Sequence, residues 1–280
     1  MIIIGEKINA TRKSIAKAII SKNSSSIKQQ IEDQDISGAH YIDLNAGTGA
    51  GDEKRETEDM CWLIDLALET TEKNLSIDSP NPQIIQKAAE HLAGRRPFLI
   101  NSVKNDKKTM DILLPIAAQH KALVIALAMD VDGIPEEAEK RYQVCRNTYK
   151  EAKKAGIEDK DILFDPLVMP ISANHNHGRI ALDTLHIIKT KLPETLTSMG
   201  VSNISYGLLK RSWINEAFLI AAITRGLDAV ICDSTRPSIR KAIALGRMIA
   251  GKDKYCRHFT RGVRRGDFEK PQLENPCNKI

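Results

Sequence analysis

"TSMGVSNIS", residues 197–205, begins as a buried strand would and ends in two hydrogen-bonding side chains, Ser202 and Asn203. A turn would explain those residue types. The question is whether other strands of the chain end in the same way, because that decides between a turn and a shared pocket. Working outward, seven more short apolar runs read as strands: 1–5, 40–44, 74–78, 97–101, 122–129, 161–165 and 228–233, alongside 196–202. Most are continuously apolar in the middle, the pattern of strands covered by helices on one face and by an enclosed sheet interior on the other.

Helical patterns lie between them. In 57–73, Met60, Leu63, Ile64, Ala67, Leu68 and Thr71 recur at spacings of three and four and form one apolar stripe. Residues 135–156 open on Pro135 and acidic residues and close on lysines and Gly156, which suits both ends of a helix. Residues 81–94, 106–121, 215–226 and 236–251 behave alike, and Pro115 is expected to kink or break the second of these. Eight strands alternating with helices predict an α/β fold closed into a (β/α)₈ TIM barrel. An open doubly wound sheet would need a glycine-rich phosphate loop after an early strand. The nearest stretch, "GTGAGDE" at 47–53, lacks the GxGxxG spacing.

Composition agrees with one large α/β core. Apolar residues make up 42% of the 280, but aromatics only 4%, so the interior must be built from aliphatic side chains rather than as a sandwich or propeller. The five cysteines, Cys61, Cys145, Cys232, Cys256 and Cys277, are widely spaced without a CxxC, indicating neither a disulfide framework nor a thiolate metal site. No segment reads as a signal peptide or membrane span, and a cytoplasmic protein with no membrane partner is expected. The net charge of +5 is mild. Part of it crowds into Arg257, Arg261, Arg264 and Arg265, read as a solvated terminus rather than a nucleic-acid contact.

The chemistry lies in what closes each strand. Glu6 and Asn9 follow the first, Asp43 and Asn45 close the second, Asp78 the third, Asn101 the fourth, Asp165 the sixth, Ser202 and Asn203 the seventh and Asp233 the eighth. In a barrel, all C-terminal strand ends meet at one mouth, so these residues would line a single pocket. Each alone could be a cap or turn residue, Asp78 before Ser79 and Pro80 especially. Carboxylates and amides with few cations suit a neutral heterocycle rich in N–H donors, whereas a phosphate would call for basic groups. A protein-bound metal is not expected, since the acids are interleaved with Asn and separated by whole βα units. His175 and His177 in "NHNH" read as a polar lid on a loop.

At this point the chain resembles a known family. "MIIIGEKIN" at 1–9, "YIDLNAG" at 41–47, "LSIDS" at 75–79, "INS" at 100–102, "FDPLVMP" at 164–170 and "GVSNISYGLLKRSWIN" at 200–215 look like the methyltetrahydrofolate:corrinoid protein methyltransferases. That family belongs to the pterin-binding barrels, with dihydropteroate synthase and the folate domain of cobalamin-dependent methionine synthase. The resemblance implies a methyl group moving between N5 of methyltetrahydrofolate and the cobalt of a corrinoid. It implies that Asp78, Asn101 and Asp165 hydrogen-bond the pterin, and that Asn203 approaches N5. Gly200 and Ser202 would then shape the floor, with Asp43, Asn45, Glu6, Asn9 and Arg211 completing the substrate site. Asn203 and Asp78 are the residues expected to take part in transfer.

The same resemblance implies 5-methyltetrahydrofolate or tetrahydrofolate as substrate, cobalamin or a related corrinoid on a separate protein, and a homodimer. No DxHxxG corrinoid motif occurs in the chain. Tyr206, Leu208, Leu209 and Trp213 could face the corrinoid protein or pack locally. A dihydropteroate synthase-like enzyme is the alternative, disfavoured because "SNIS" lacks the basic residue that a pyrophosphate would need; a non-catalytic pterin-binding protein is another. The barrel is expected to occupy 1–256, and 257–280 is a basic extension without a counterpart in the family. It would be disordered, cover the barrel bottom or tune docking.

Overall fold

A computed structural model describes residues 1–48 and 52–269. Residues 49–51 of the glycine-rich stretch, Cys277 and the end of the basic extension lie outside the described residues. The chain runs β1 (Ile2–Asn9), α1 (Lys13–Ile20), α2 (Ser24–Ile36), β2 (Tyr41–Asn45), α3 (Glu53–Thr70), β3 (Asn74–Asp78), α4 (Pro82–Leu92), β4 (Phe98–Asn105), α5 (Lys107–His120) and β5 (Leu123–Asp130). It continues through α6 (Ala138–Lys154), β6 (Ile162–Asp165), α7 (His177–Lys191), β7 (Leu196–Gly200), α8 (Arg211–Thr224), β8 (Ala229–Cys232), α9 (Pro237–Ile249) and α10 (Arg257–Arg265). The strands pair in parallel, in sequence order, and β8 closes on β1.

The two faces of each strand do different work. Outward residues such as Ile42, Leu44, Ile77, Ile100 and Phe164 pack under the helices in one large apolar layer. Ile4, Tyr41, Leu99, Ile125, Leu163 and Ala229 form a separate cluster that plugs the barrel interior. Side chains alternate along a strand, so the next inward position toward the mouth lies two residues on. Those positions are Glu6 after Ile4, Asp43 after Tyr41, Asn101 after Leu99 and Asp165 after Leu163. An apolar plug below and polar groups above thus follow from one period-two rule.

Three expectations need correction. The connection from β1 to β2 and that from β6 to β7 carry helices, α1, α2 and α7, that the periodicity did not mark. Pro115 does not break α5, which continues as one element through it. β7 stops at Gly200, and a 3-10 turn over Val201–Ser205 follows, so Ser202 and Asn203 sit just beyond the strand rather than in it. Past the barrel, α10 returns along α9, and Arg240 at the start of α9 donates to the carbonyl of Asp267. Among the described residues, no helix is long and apolar enough to cross a membrane.

Candidate active site

A cavity of about 220 Å³ opens at the C-terminal mouth and is lined by Glu6, Asn9, Asp43, Asp78, Asn101, Asp165, Gly200, Ser202 and Asn203, with Leu167, Val168 and Ile231. A larger groove of about 890 Å³ lies between α5 and α6 and contains none of these side chains. Depth and convergent polar groups, not size, mark the mouth as the site. Of the residues singled out above, Asn45 reaches it through Asp78, and Arg211 borders the neighbouring cavity.

The acids form a hydrogen-bonded floor. Asp43 Oδ1 accepts from Ser76 Oγ at 2.5 Å and from Asn101 Nδ2 at 3.2 Å. Asp78 Oδ2 accepts from Asn45 Nδ2 at 2.9 Å, while Asn45 Oδ1 accepts from the Gly47 amide at 3.0 Å. Asp165 Oδ1 accepts from the Leu167 amide at 2.8 Å, and Oδ2 has no partner among the described residues. Capping does not account for Asp78, because Asn81 caps α4 by accepting from Gln83 N. A turn does account for Asp233, whose Oδ1 accepts from the amide and hydroxyl of Thr235 and whose Oδ2 meets Arg236.

Burial governs the protonation of this floor. It pushes Asp165 up to about 7, against the opposing pull of the Leu167 amide and Arg141. Burial pushes Asp78 up to about 6, and Asp43 is driven well above the usual range by burial and then by Asp78. Glu6 is raised too, mainly by burial, with Arg12 pulling the other way at 3.7 Å. An empty cavity therefore holds acids that resist ionisation, and a ligand rich in N–H donors would favour their charged form.

Asn203 lines the same mouth, exposed, its side-chain amide without a partner among the described residues. Its turn is fastened from α8: Arg211 Nη2 donates to the Ser202 carbonyl at 2.7 Å and Nε to Ser205 Oγ at 3.0 Å, which in turn donates to Asn215 Oδ1 at 2.7 Å. A Cβ at Gly200 would lie 4.0 Å from Asn203 Nδ2, an ordinary contact, so packing at this turn does not by itself require glycine. Asn9 lines the cavity but also accepts from the amide and hydroxyl of Thr11, which holds the β1 loop.

One buried cation was not singled out from the sequence. Arg141 on α6, 1% exposed, donates to the carbonyls of Pro135, Pro166 and Leu167 and so fastens the loop after Asp165. Leu167 is held there at φ 62°, a left-handed conformation that a leucine rarely adopts unsupported. Nothing in "EKRYQ" distinguishes this arginine from a surface one; only Pro135 six residues earlier hints at a loop to be tied. The "NHNH" lid needs correction as well. His177 is buried at the start of α7 with Nδ1 against the Pro170 carbonyl at 2.8 Å, and it braces the β6 loop instead of covering the mouth. Among the described residues, no group of three or more His, Cys, Asp or Glu side chains is placed to hold a metal ion.

Comparison with known proteins places this geometry in context. The family described as pterin binding enzyme matches residues 5–233. A methylcorrinoid:tetrahydrofolate methyltransferase from Eubacterium limosum is 34% identical over 269 residues, covering 95% of this chain and 97% of that one. A methionine synthase from Mycobacterium tuberculosis is 26% identical over 249 residues, covering 84% of this chain; the chain spans only 20% of that longer protein. Among solved structures, a dihydropteroate synthase from Xanthomonas albilineans in complex with 7,8-dihydropteroate aligns with a TM-score of 0.67 at 16% identity, covering 89% of this chain and 93% of that one, a likeness of fold alone.

Proposed function

This chain belongs to the pterin-binding enzyme family, and we propose that it is a methyltransferase acting between the cobalt of a corrinoid on a separate protein and N5 of tetrahydrofolate. The observation that carries the reading is the set of polar groups that converge in the mouth cavity. Asp78, Asn101 and Asp165 offer acceptors and an amide, and the unpaired amide of Asn203 lines the same pocket. A reduced pterin carries amino and ring N–H donors as well as the acceptor N5, and suits that combination.

In the direction named for the Eubacterium relative, the N5 lone pair attacks the methyl carbon, the carbon–cobalt bond breaks with its electron pair staying on cobalt, and N5 loses its proton. In reverse, cobalt(I) takes the methyl group and N5 gains a proton. In that reverse direction Asn203 Nδ2 donates to N5 as negative charge develops there, which stabilises the transition state over the bound ground state. An amide is no acid, so the proton passes through water. Asp78, with its pKa near 6, is the group suited to hold that water. The floor orients the ring so that N5 faces out of the mouth, where a docked partner would present the corrinoid.

A cytoplasmic homodimer with a barrel over 1–256 and a separate basic extension over 257–280 completes the reading. The exposed Tyr206, Leu209 and Trp213 beside the mouth belong to its docking face. The test is anaerobic mixing of methylcobalamin and tetrahydrofolate with the protein, following the growth of the cobalt(I) absorbance, and the reverse reaction from reduced cobalamin. Transfer that depends on the protein and slows about 10²-fold or more in Asn203→Ala, the cost of one transition-state donor, is the expected result. Tetrahydrofolate binding without transfer, with free cobalamin and with corrinoid proteins alike, would reject it.

A further inference from the structure

A second cavity of about 300 Å³ adjoins the first, and Glu6 and Ser202 line both. Its chemistry is the opposite of the floor just described. Arg12, Arg211 and Arg236 converge on it with Ser212, Asn215 and Ser238. Arg236 is paired with Asp233 at 3.2 Å and Arg12 lies 3.7 Å from Glu6, whereas Arg211 meets no carboxylate among the described residues and its Nη1 is uncommitted. Burial raises the pKa of Glu6, and Arg12, Arg236 and Arg211 pull it the other way. Helices α8 and α9 both begin here, and neither has an acidic residue in its first turn or a side-chain cap. Their free amide ends add to the field that favours an anion.

The substrate's covalent structure says which anion. In tetrahydrofolate the carbon bearing the p-aminobenzoyl-glutamate tail, C6, is bonded directly to N5. If N5 faces Asn203, the tail leaves the ring on that same side, next to Ser202, which lines both cavities. We propose that the second cavity is the subsite for the carboxylates of the substrate's glutamate tail, with the guanidinium groups of Arg12, Arg211 and Arg236 as their contacts. This rests on the pterin reading of the first cavity and adds to it the part of the substrate that the acids there would repel.

The test separates the two parts of the ligand. Equilibrium titrations measure binding of tetrahydrofolate and of 6-methyltetrahydropterin, which has the ring but no tail, to the wild-type protein and to Arg236→Gln, Arg12→Gln and Arg236→Lys. The wild type is expected to prefer the tailed ligand. That preference should fall about tenfold or more in each Gln variant, the scale of one charge-assisted hydrogen bond, should be largely restored in Arg236→Lys, and should shrink with added salt. A preference that survives both Gln variants overturns the proposal. So does inorganic pyrophosphate that binds in competition with the tailed ligand alone while that preference stays intact, because the cavity would then be a diphosphate site. Failure of the wild type to bind the tailless pterin would instead reject the reading of the first cavity, and the two failures are distinguishable.

Discussion

Replacing Asp165 by Asn should make the empty protein more stable and ruin the site. Asp165 is buried and its pKa is raised from 3.8 to about 7. One pKa unit is about 1.4 kcal/mol, so the shift of roughly three units means that ionised Asp165 costs the fold about 4 kcal/mol at pH 8, as an upper bound. The sign follows from the raised value: the contribution of Asp165 is fully favourable below its unfolded pKa and is lost as pH rises through about 7. Asn keeps an oxygen for the Leu167 amide, now 2.8 Å from Oδ1, and never ionises. Asp165→Asn should therefore raise the melting temperature at pH 8 by several degrees, at about 2–4 °C per kcal/mol for a chain of this size, and change little near pH 4. Tetrahydrofolate affinity should fall about 10- to 100-fold at pH 8, because the free Oδ2 would no longer offer a charged acceptor, a hydrogen bond worth about 1.5–3 kcal/mol. Thermal melts across pH 4–8 with titrations at pH 8 give both numbers. A variant equally destabilised at both ends of the range, or one that keeps its affinity, would refute the reasoning.

Arg141→Met should leave three loop carbonyls without their donor and cost about 3 kcal/mol or more; chemical denaturation should show a lower midpoint, and the Leu167 loop should become more open to proteolysis. Gly246→Ala would put a Cβ 2.7 Å from Ile223 Cδ1 and 3.1 Å from its Cβ, where α8 and α9 pack closely. Overpacking of that kind costs about 1–3 kcal/mol, so a melting temperature unchanged from wild type would show that the helices separate more freely than their contact implies.

The floor of the site was legible because strand geometry and chemistry coincide there. Asp78 and Asp165 end β3 and β6 at the expected positions, Asn101 lies within β4, which runs on to Asn105, and period-two alternation sets Asn101 and Asp165 above Leu99 and Leu163 of the apolar plug and Asp78 above Ser76. Where the backbone leaves the strand, that rule stops applying. Ser202 and Asn203 were expected at the end of a strand, but the chain turns at Gly200, and Arg211 holds the turn through a carbonyl that carries no sequence signal. The same blindness explains Arg141 and His177, whose partners are backbone oxygens and whose burial depends on loops. α2 was missed for a different reason. Only Ile27 and Ile31 among its buried residues are apolar, while Asp33 and Gln34 are buried too, with Gln34 accepting from the Lys7 amide. Polar burial of that kind breaks an apolar stripe without breaking the helix.

The arrangement of charge ties the two cavities into one device. A barrel mouth that collects Glu6, Asp43, Asp78 and Asp165 within one pocket would repel a dianionic folate tail, and burial lessens that repulsion by raising the pKa values of these acids in the empty state. In the proposed reading the N–H donors of an entering pterin would favour ionisation of these acids, while the tail would meet the arginines on the other side of Ser202. Ring and tail would then each meet charge opposite to their own, which is why a tailless pterin should bind the first cavity and gain nothing from the second.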